Sequence, residues 1–232
     1  MEKIEGRNGY TVLDHGMVAL VESMGSDLSI VRNARVSYDA EWRSGEDAGK
    51  DAKLIDYLIK NHHTSPLESV TFTFEVKAPI FVFRQLMRHR TFSFNEISAR
   101  YSELPEEFYV PEIEQITTQH SSNKQMRTDT QHIHAAHWAD VIRYNNHAAF
   151  IIYRNMIADG VPRELARTVL PVATYSHLFM TVNLHNLLKF ISLRSHSHSQ
   201  YEIRVFSDAI LEIIKGICPI AVASFEKHTL GK

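Results

Sequence analysis

The chain has 232 residues, 44% of them hydrophobic and 22% charged, an ordinary globular composition and long enough to bury one sizeable core. Lysine and arginine number 25 against 27 aspartates and glutamates, a formal charge of −2. That balance excludes a protein that coats nucleic acid through an overall basic surplus, so any basic site must be local and serve a local anion.

In chain order, the opening MEKIEGRNGY has no apolar core, so no secretory signal is expected. Residues 17–24 read as a strand, and Ser26 or Asp27 as the cap of a helix with Leu28, Val31 and Ala34 or Arg35 at helical spacing. A polar loop, WRSGEDAGKD, leads into AKLIDYLIKNHH, an amphipathic helix with Leu54, Leu58 and Ile59 on one face. It stops near Pro66, which restricts the residue before it. The strongest strand signal is SVTFTFEVKAP: Val70, Phe72, Phe74 and Val76 face one way, Thr71, Thr73 and Glu75 the other. Pro79 suits the first turn of a helix over PIFVFRQLMRHR. Residues 112–130 are polar and aperiodic and read as a mobile loop or insertion. A long helix follows over about 131–159, ended by Gly160, then a short helix between Pro162 and Pro171. VATYSHLFMTVN reads as a strand, and LHNLLKFISLR and SQYEIRVFSDAILEIIKGI as amphipathic helices. The longest apolar runs, such as 78–83, are too short to cross a bilayer. No repeat or linker interrupts the chain, so a single domain over 1–232 is expected, soluble and cytoplasmic. Few strands among many helices point to an α+β or mixed α/β fold.

Chemistry concentrates in RHRTFSFNEISARYS, residues 88–102. On a continued helix, Gln85, Arg88 and His89 share a face, and Arg84 and Arg88 lie four apart. Glu96, Ser98 and Arg100 alternate, so an extended segment would line them along one side. Arginine offers paired donors to phosphate, while glutamate and serine add hydrogen-bonding selectivity. That mixture suits a nucleotide pocket better than a bare phosphate track; a solvated helix end is the plainer reading. Ser98 is not in a G-x-S-x-G elbow and reads as a ligand rather than a nucleophile. Arg194, His196, His198 and Gln200 alternate in a second cluster, and HIHAAH (132–137) forms a third; neither has companions for a metal ligand set, so no metal is expected. Arg163 and Arg167 share a face of the short helix, which by itself is an ordinary exposed face.

The order R-H-R, seven residues, then Ser98, inside N-E-x-S-x-R-Y, resembles the signature of the flavin-dependent thymidylate synthases. GSDLSIVRNARVSYD, SPLESVTFTFEVKAPIFVFRQ, GVPRELARTVLP and LRSHSHSQYEI resemble further family segments in the same order. The first ten residues and the regions near 40–52 and 111–145 do not. The resemblance implies an α+β fold with a central, mostly antiparallel sheet flanked by helices, in a homotetramer with active sites shared between subunits. It implies conversion of dUMP to dTMP, with methylenetetrahydrofolate as one-carbon donor, FAD as hydride carrier and NADPH as reductant. Carried residue by residue, it places dUMP on Gln85, Arg88, Glu96, Ser98, Ala99, Arg100, Arg167 and Arg194. Arg194 is then the catalytic arginine that contacts the uracil and favours its ionised form. FAD falls to Ser65, Glu68, Arg88, His89, Arg90, Glu96, Asn183, His185 and Lys189, with His63 and Tyr101 as folate or flavin neighbours.

His185 stands where the family often has arginine, Lys189 where it often has asparagine, and His196 where aspartate is common. The only cysteine, Cys218, excludes an intramolecular disulfide and sits in the apolar KGICPIA, where a thiol stays protonated. A flavin mechanism without a protein thiolate therefore suits the chain. Two other classes remain as alternatives: a nucleic-acid-binding module built on the basic aromatic segment, and a metal-dependent hydrolase built on the histidine clusters. The former predicts steeply salt-dependent oligonucleotide binding, the latter stoichiometric metal.

Overall fold

A computed structural model describes residues 1–231. In chain order it contains β1 (Glu2–Lys3), β2 (Gly9–Val12), β3 (Gly16–Met24), α1 (Asp27–Arg35), α2 (Ala48–Lys60), β4 (Thr71–Pro79), α3 (Ile80–Leu86) and β5 (Ser93–Glu96). There follow β6 (Thr117–Gln119), β7 (Arg127–Gln131), α4 (Ala135–Ala158), α5 (Arg163–Ala166), β8 (Tyr175–Asn183), α6 (Leu184–Arg194), α7 (Tyr201–Lys215) and α8 (Pro219–Phe225). Six strands form one sheet in the order β1-β2-β3-β4-β8-β5. Every neighbouring pair is antiparallel, so the expected α+β architecture is what the chain adopts.

The alternation in β4 has its physical cause in burial on one face. Phe72, Phe74 and Val76 are fully enclosed and join the main core with Met180 and Val182 of β8 and residues of α6, α7 and α8. On the other face Thr73 and Thr181 meet hydroxyl to hydroxyl at 3.1 Å. The nine-residue register runs from Thr71↔Asn183 to Pro79↔Tyr175. At the other end of the sheet, Gly9 lies opposite Ala19, and a Cβ there would come within 2.6 Å of the Ala19 Cβ. A smaller cluster, Phe150, Tyr153 and Ala166, joins α4 to α5.

The structure departs from the sequence reading at several points. The N-terminal strands β1 and β2 have no counterpart in the expected elements; they are short and half exposed, and only pairing with β3 defines them. The polar stretch before α2 is partly helical, because Asp47 caps the helix by accepting from the backbone N–H groups of Gly49 and Lys50. The helix expected over 79–90 ends at Leu86, and Pro79 belongs to β4 as the helix cap. The chain turns through residues 87–91 so that Phe92 enters the core and β5 can pair with β8. Residues 112–130 are not a featureless loop: β6 and β7 form a hairpin whose Thr118 and Thr128 hydroxyls lie 2.6 Å apart. Its strands are polar on both faces, so no apolar alternation announces them. The long helix accordingly begins at Ala135 rather than near 131. A last helix, α8, lies beyond the expected elements.

Asp27 illustrates how distant segments are locked. Its carboxylate accepts from the N–H groups of Ile220 at 2.9 Å and Ala221 at 3.0 Å, closing the N-terminus of α8 from the start of α1. Asp27→Ala is expected to cost about 1–2 kcal/mol of stability in chemical denaturation. An unchanged midpoint and slope would show that this cap contributes nothing.

Candidate functional site

Two groups of site residues form around α3. Ile80, Phe83, Arg84 and Met87 make one stripe at helical spacing, and it walls a cleft of about 390 Å³. Glu96, Ser98, Ala99, Arg167 and Ser176 also line it, beside the apolar Ile97, Leu104 and Leu170. Pairing of β5 with β8 sets Glu96 opposite Leu178, and the buried Ser176 hydroxyl donates to Glu96 Oε1 at 2.6 Å. Ser176 carries no sequence signal of this role, since it is one serine in a strand. The expected alternation then breaks. A turn closes from Ser98 to Tyr101, with the Tyr101 N–H on the Ser98 carbonyl at 3.0 Å. Glu96 and Ser98 therefore meet in the cleft, but Arg100 does not line it; its guanidinium pairs with Glu164 at 3.4 Å on the exposed surface. Tyr101 is 79% exposed.

The second group lies away from that stripe. Gln85 donates through Nε2 to Gln200 Oε1 at 2.5 Å, and its carbonyl accepts from Arg194 Nη2 at 3.5 Å. Arg194 Nε also donates to His89 Nε2 at 3.2 Å. His89 is wedged edge-on against Phe190, ring centroids 4.9 Å apart, and leans on Phe92 at 5.7 Å. Burial first, then the positive charges of Arg194 and Lys189, push the His89 pKa down from 6.5 to about 4. A neutral imidazole that accepts at Nε2 carries its hydrogen on Nδ1. Burial and the nearby Arg88 also hold Arg194 below the usual arginine range. The shared helix face expected for Gln85, Arg88 and His89 is not realised as such, because α3 has ended; tight turn bonds from Arg88 and His89 to the Gln85 and Leu86 carbonyls replace it.

The remaining expected cofactor residues gather along α6. Asn183 caps it, with Oδ1 accepting from Asn186 at 3.0 Å, which leaves its amide NH2 to donate elsewhere. His185 and Lys189 follow on the helix, and the single turn carrying Ser65 and Glu68 packs against it. Ser65, Glu68, Arg88, Arg90 and Lys189 are exposed, and exposed His63 meets Tyr57 edge-on at 5.6 Å.

Electrostatics distinguish these arginines from their neighbours. Arg7, Arg35, Arg43, Arg100, Arg127, Arg143, Arg154 and Arg163 each pair with a carboxylate. Among the described residues the other seven have none within 4.0 Å: Arg32 on α1, Arg204 on α7, and Arg84, Arg88, Arg90, Arg167 and Arg194, which come from three separated stretches of chain. Guanidinium groups left without internal counterions fit an external anion such as a pyrophosphate or phosphate.

The histidine clusters assemble no ligand set. His196 and His198 stack edge to face at 4.6 Å and His132 and His134 lie 5.9 Å apart, but no three His, Cys, Asp or Glu side chains among the described residues are placed to share a metal. Arg127, in the hairpin, reaches the buried Glu202 at 3.2 Å and so ties that hairpin to α7. Cys218 is fully buried, and burial pushes its thiol up to about 12. No helix among the described residues is long and apolar enough to cross a membrane.

Comparison with known proteins bears on this arrangement. Residues 19–220 match the family profile described as "Thymidylate synthase complementing protein". The chain is 45% identical over 222 residues to a flavin-dependent thymidylate synthase of Treponema denticola, covering 94% of this chain and 82% of the relative. It is 46% identical over 227 residues to one of Thermus thermophilus, covering 98% and 82%. Its fold superposes on a UMP/dUMP methylase, PolB of Streptomyces cacaoi, bound with 5-Br dUMP, with TM-score 0.86 at 35% identity over 95% of this chain and 98% of that one.

The His89 environment yields a titration with a definite sign. The folded imidazole binds a proton only near pH 4, whereas the unfolded one does so near 6.5. Its contribution to stability is therefore complete above pH 6.5 and is lost as pH falls towards about 4. Nitrogen-15 NMR is expected to find the Nδ1–H tautomer at neutral pH; an imidazolium with a pKa near 6.5 would contradict the Arg194 contact.

Proposed function

The chain belongs to the flavin-dependent thymidylate synthase family, and on that footing we propose how its own residues divide the work of making dTMP. The reaction is the reductive methylation of dUMP, with methylenetetrahydrofolate as one-carbon donor, FAD as flavin and NADPH as reductant. Bound FAD supplies the hydride; everything else required is binding, orientation and charge, which side chains provide. The observation that carries the assignment is that Arg88, Arg90 and Arg194 in one group and Arg167 in the other have no internal carboxylate partner, while the one thiol is sealed in the core.

In this reading Arg88, His89 and Arg90 hold FAD together with Asn183, His185 and Lys189 of α6 and the Ser65–Glu68 turn. The departures at His185 and Lys189 keep a hydrogen-bond donor at each position. Glu96, Ser98, Ala99 and Arg167 grip the nucleotide from the cleft, and Gln85, Arg88 and Arg194 from the other group. Arg100 joins them by exchanging its exposed pair with Glu164 for the ligand, a small cost because exposed ion pairs contribute little. Arg194, aimed by His89 and the Gln85 carbonyl, stabilises negative charge on the pyrimidine as its carbon accepts the one-carbon unit. His63 and Tyr101 are exposed and adjoin folate or flavin.

A homotetramer with shared sites accounts for the separation of the two groups. Within one subunit, Glu96, Ser98 and Arg167 face the stripe of α3 that carries Arg84, while Gln85 and Arg194 lie on another side. A second copy brings the complementary group to each nucleotide. The nucleic-acid alternative has no support among the related proteins.

The test is anaerobic. Protein reduced with NADPH and then given dUMP and methylenetetrahydrofolate is expected to reoxidise its flavin and release dTMP. Cys218→Ala should retain that chemistry, whereas Arg194→Ala should lower the rate by about 100-fold or more. Loss of dTMP in the cysteine variant with intact flavin binding, or an Arg194→Ala rate equal to the parent's, would overturn these roles.

A further inference from the structure

The cleft stripe along α3 and its C-cap is apolar at Ile80, Phe83 and Met87 and charged at one position, Arg84. Helical spacing aims that side chain at the same space as Ser98 and Arg167. Arg84 makes no ion pair and no side-chain hydrogen bond among the described residues, and neither does the Arg167 side chain. The contrast with the adjoining arginines is sharp: Arg100 has Glu164 at 3.4 Å, and Arg163 has Glu103 at 3.4 Å. The one carboxylate in the cleft, Glu96, is held by the Ser176 hydroxyl at 2.6 Å rather than by either arginine. An anion would therefore seat on the arginine side, away from Glu96.

Two guanidinium groups line one small cleft with none of their donors taken by a carboxylate, so an anion entering it meets both. A phosphate monoester fits that pair, since it carries close to two charges and enough oxygens for two forked donors and a hydroxyl. We propose that Arg84 is a phosphate-binding residue of the nucleotide site, acting with Arg167 and Ser98 on the monoester of dUMP. The proposal rests on the functional reading above and adds a ligand that neither the signature motif nor the expected site residues include. Arg84 acts by charge and hydrogen bonding only; no bond is made or broken through it.

The experiment compares two ligands that differ by the phosphate alone. FAD-loaded protein is titrated calorimetrically with dUMP and, at high concentration, with deoxyuridine. The variants are Arg84→Ala, Arg84→Lys and, as a control for lost surface charge, Arg32→Ala, an exposed arginine on α1. Arg84→Ala is expected to weaken dUMP about tenfold or more while leaving deoxyuridine unchanged. Arg84→Lys should fall between, because a point charge replaces the fork, and Arg32→Ala should match the parent. Parent-like dUMP affinity in Arg84→Ala, or equal loss of both ligands, would overturn the assignment. If the parent protein bound dUMP no better than deoxyuridine, the nucleotide reading itself would fall and this inference with it.

Discussion

The antiparallel ladder between β4 and β8 is the constraint on which the site depends. Its register ends at Pro79↔Tyr175 on one side and Thr71↔Asn183 on the other, and a helix leaves each end: α3 at Ile80 and α6 at Leu184. Eight strand steps span about 27 Å. The seven residues of α3 and the eleven of α6 cover about 10 and 16 Å. Helices of those lengths, growing from opposite ends of such a ladder, bring their C-terminal ends together. There Arg194, the last residue of α6, reaches the Gln85 carbonyl in the last turn of α3 and His89 just past its end. β5 then adds to the free side of β8, and this pairing delivers Glu96 to Ser176. A one-residue slip in the ladder would turn the buried phenylalanines outward and separate these groups together.

On that rigid frame the protein holds positive charge that its own carboxylates do not neutralise. Arginines outside the site are mostly paired; those of α3, the following turn, the 163–169 segment and the end of α6 are mostly not. Such an arrangement is destabilising by itself and becomes favourable when anions bind, so ligands that fill it stabilise the native state by mass action. Neutral His89 belongs to the same arrangement. A second full charge there would repel Arg194, and burial against Phe190 and Phe92 prevents it.

Much of this is legible in the order of the residues. The alternation of β4, the periodicity of α2, α6 and α7, and the motif joining Arg88–His89–Arg90 to Ser98 are local signals, because each depends on residues a few positions apart. Signals fail where the cause is remote. The helix ending at Leu86 stops because Phe92 and β5 are claimed by the core and by β8. The β6–β7 hairpin is polar on both faces and held by Thr118–Thr128 and Arg127–Glu202, contacts without a short-range pattern. Arg100 leaves the expected line because a tight turn at Ser98 replaces extended chain.

The amino-acid sequence alone determined the fold class, the family likeness, the motif that carries Arg88, Arg90 and Ser98, and the apolar setting of Cys218. Periodicity, motif spacing and apolar context are properties of neighbouring residues, and they survive in one dimension. Only the tertiary structure decided which arginines keep a carboxylate partner, which face of α3 each residue takes, and that Ser176 and His89 orient Glu96 and Arg194. Those facts rest on pairs far apart in the chain, 80 residues for Ser176 and Glu96 and 105 for Arg194 and His89, brought within hydrogen-bonding distance by strand register and helix length.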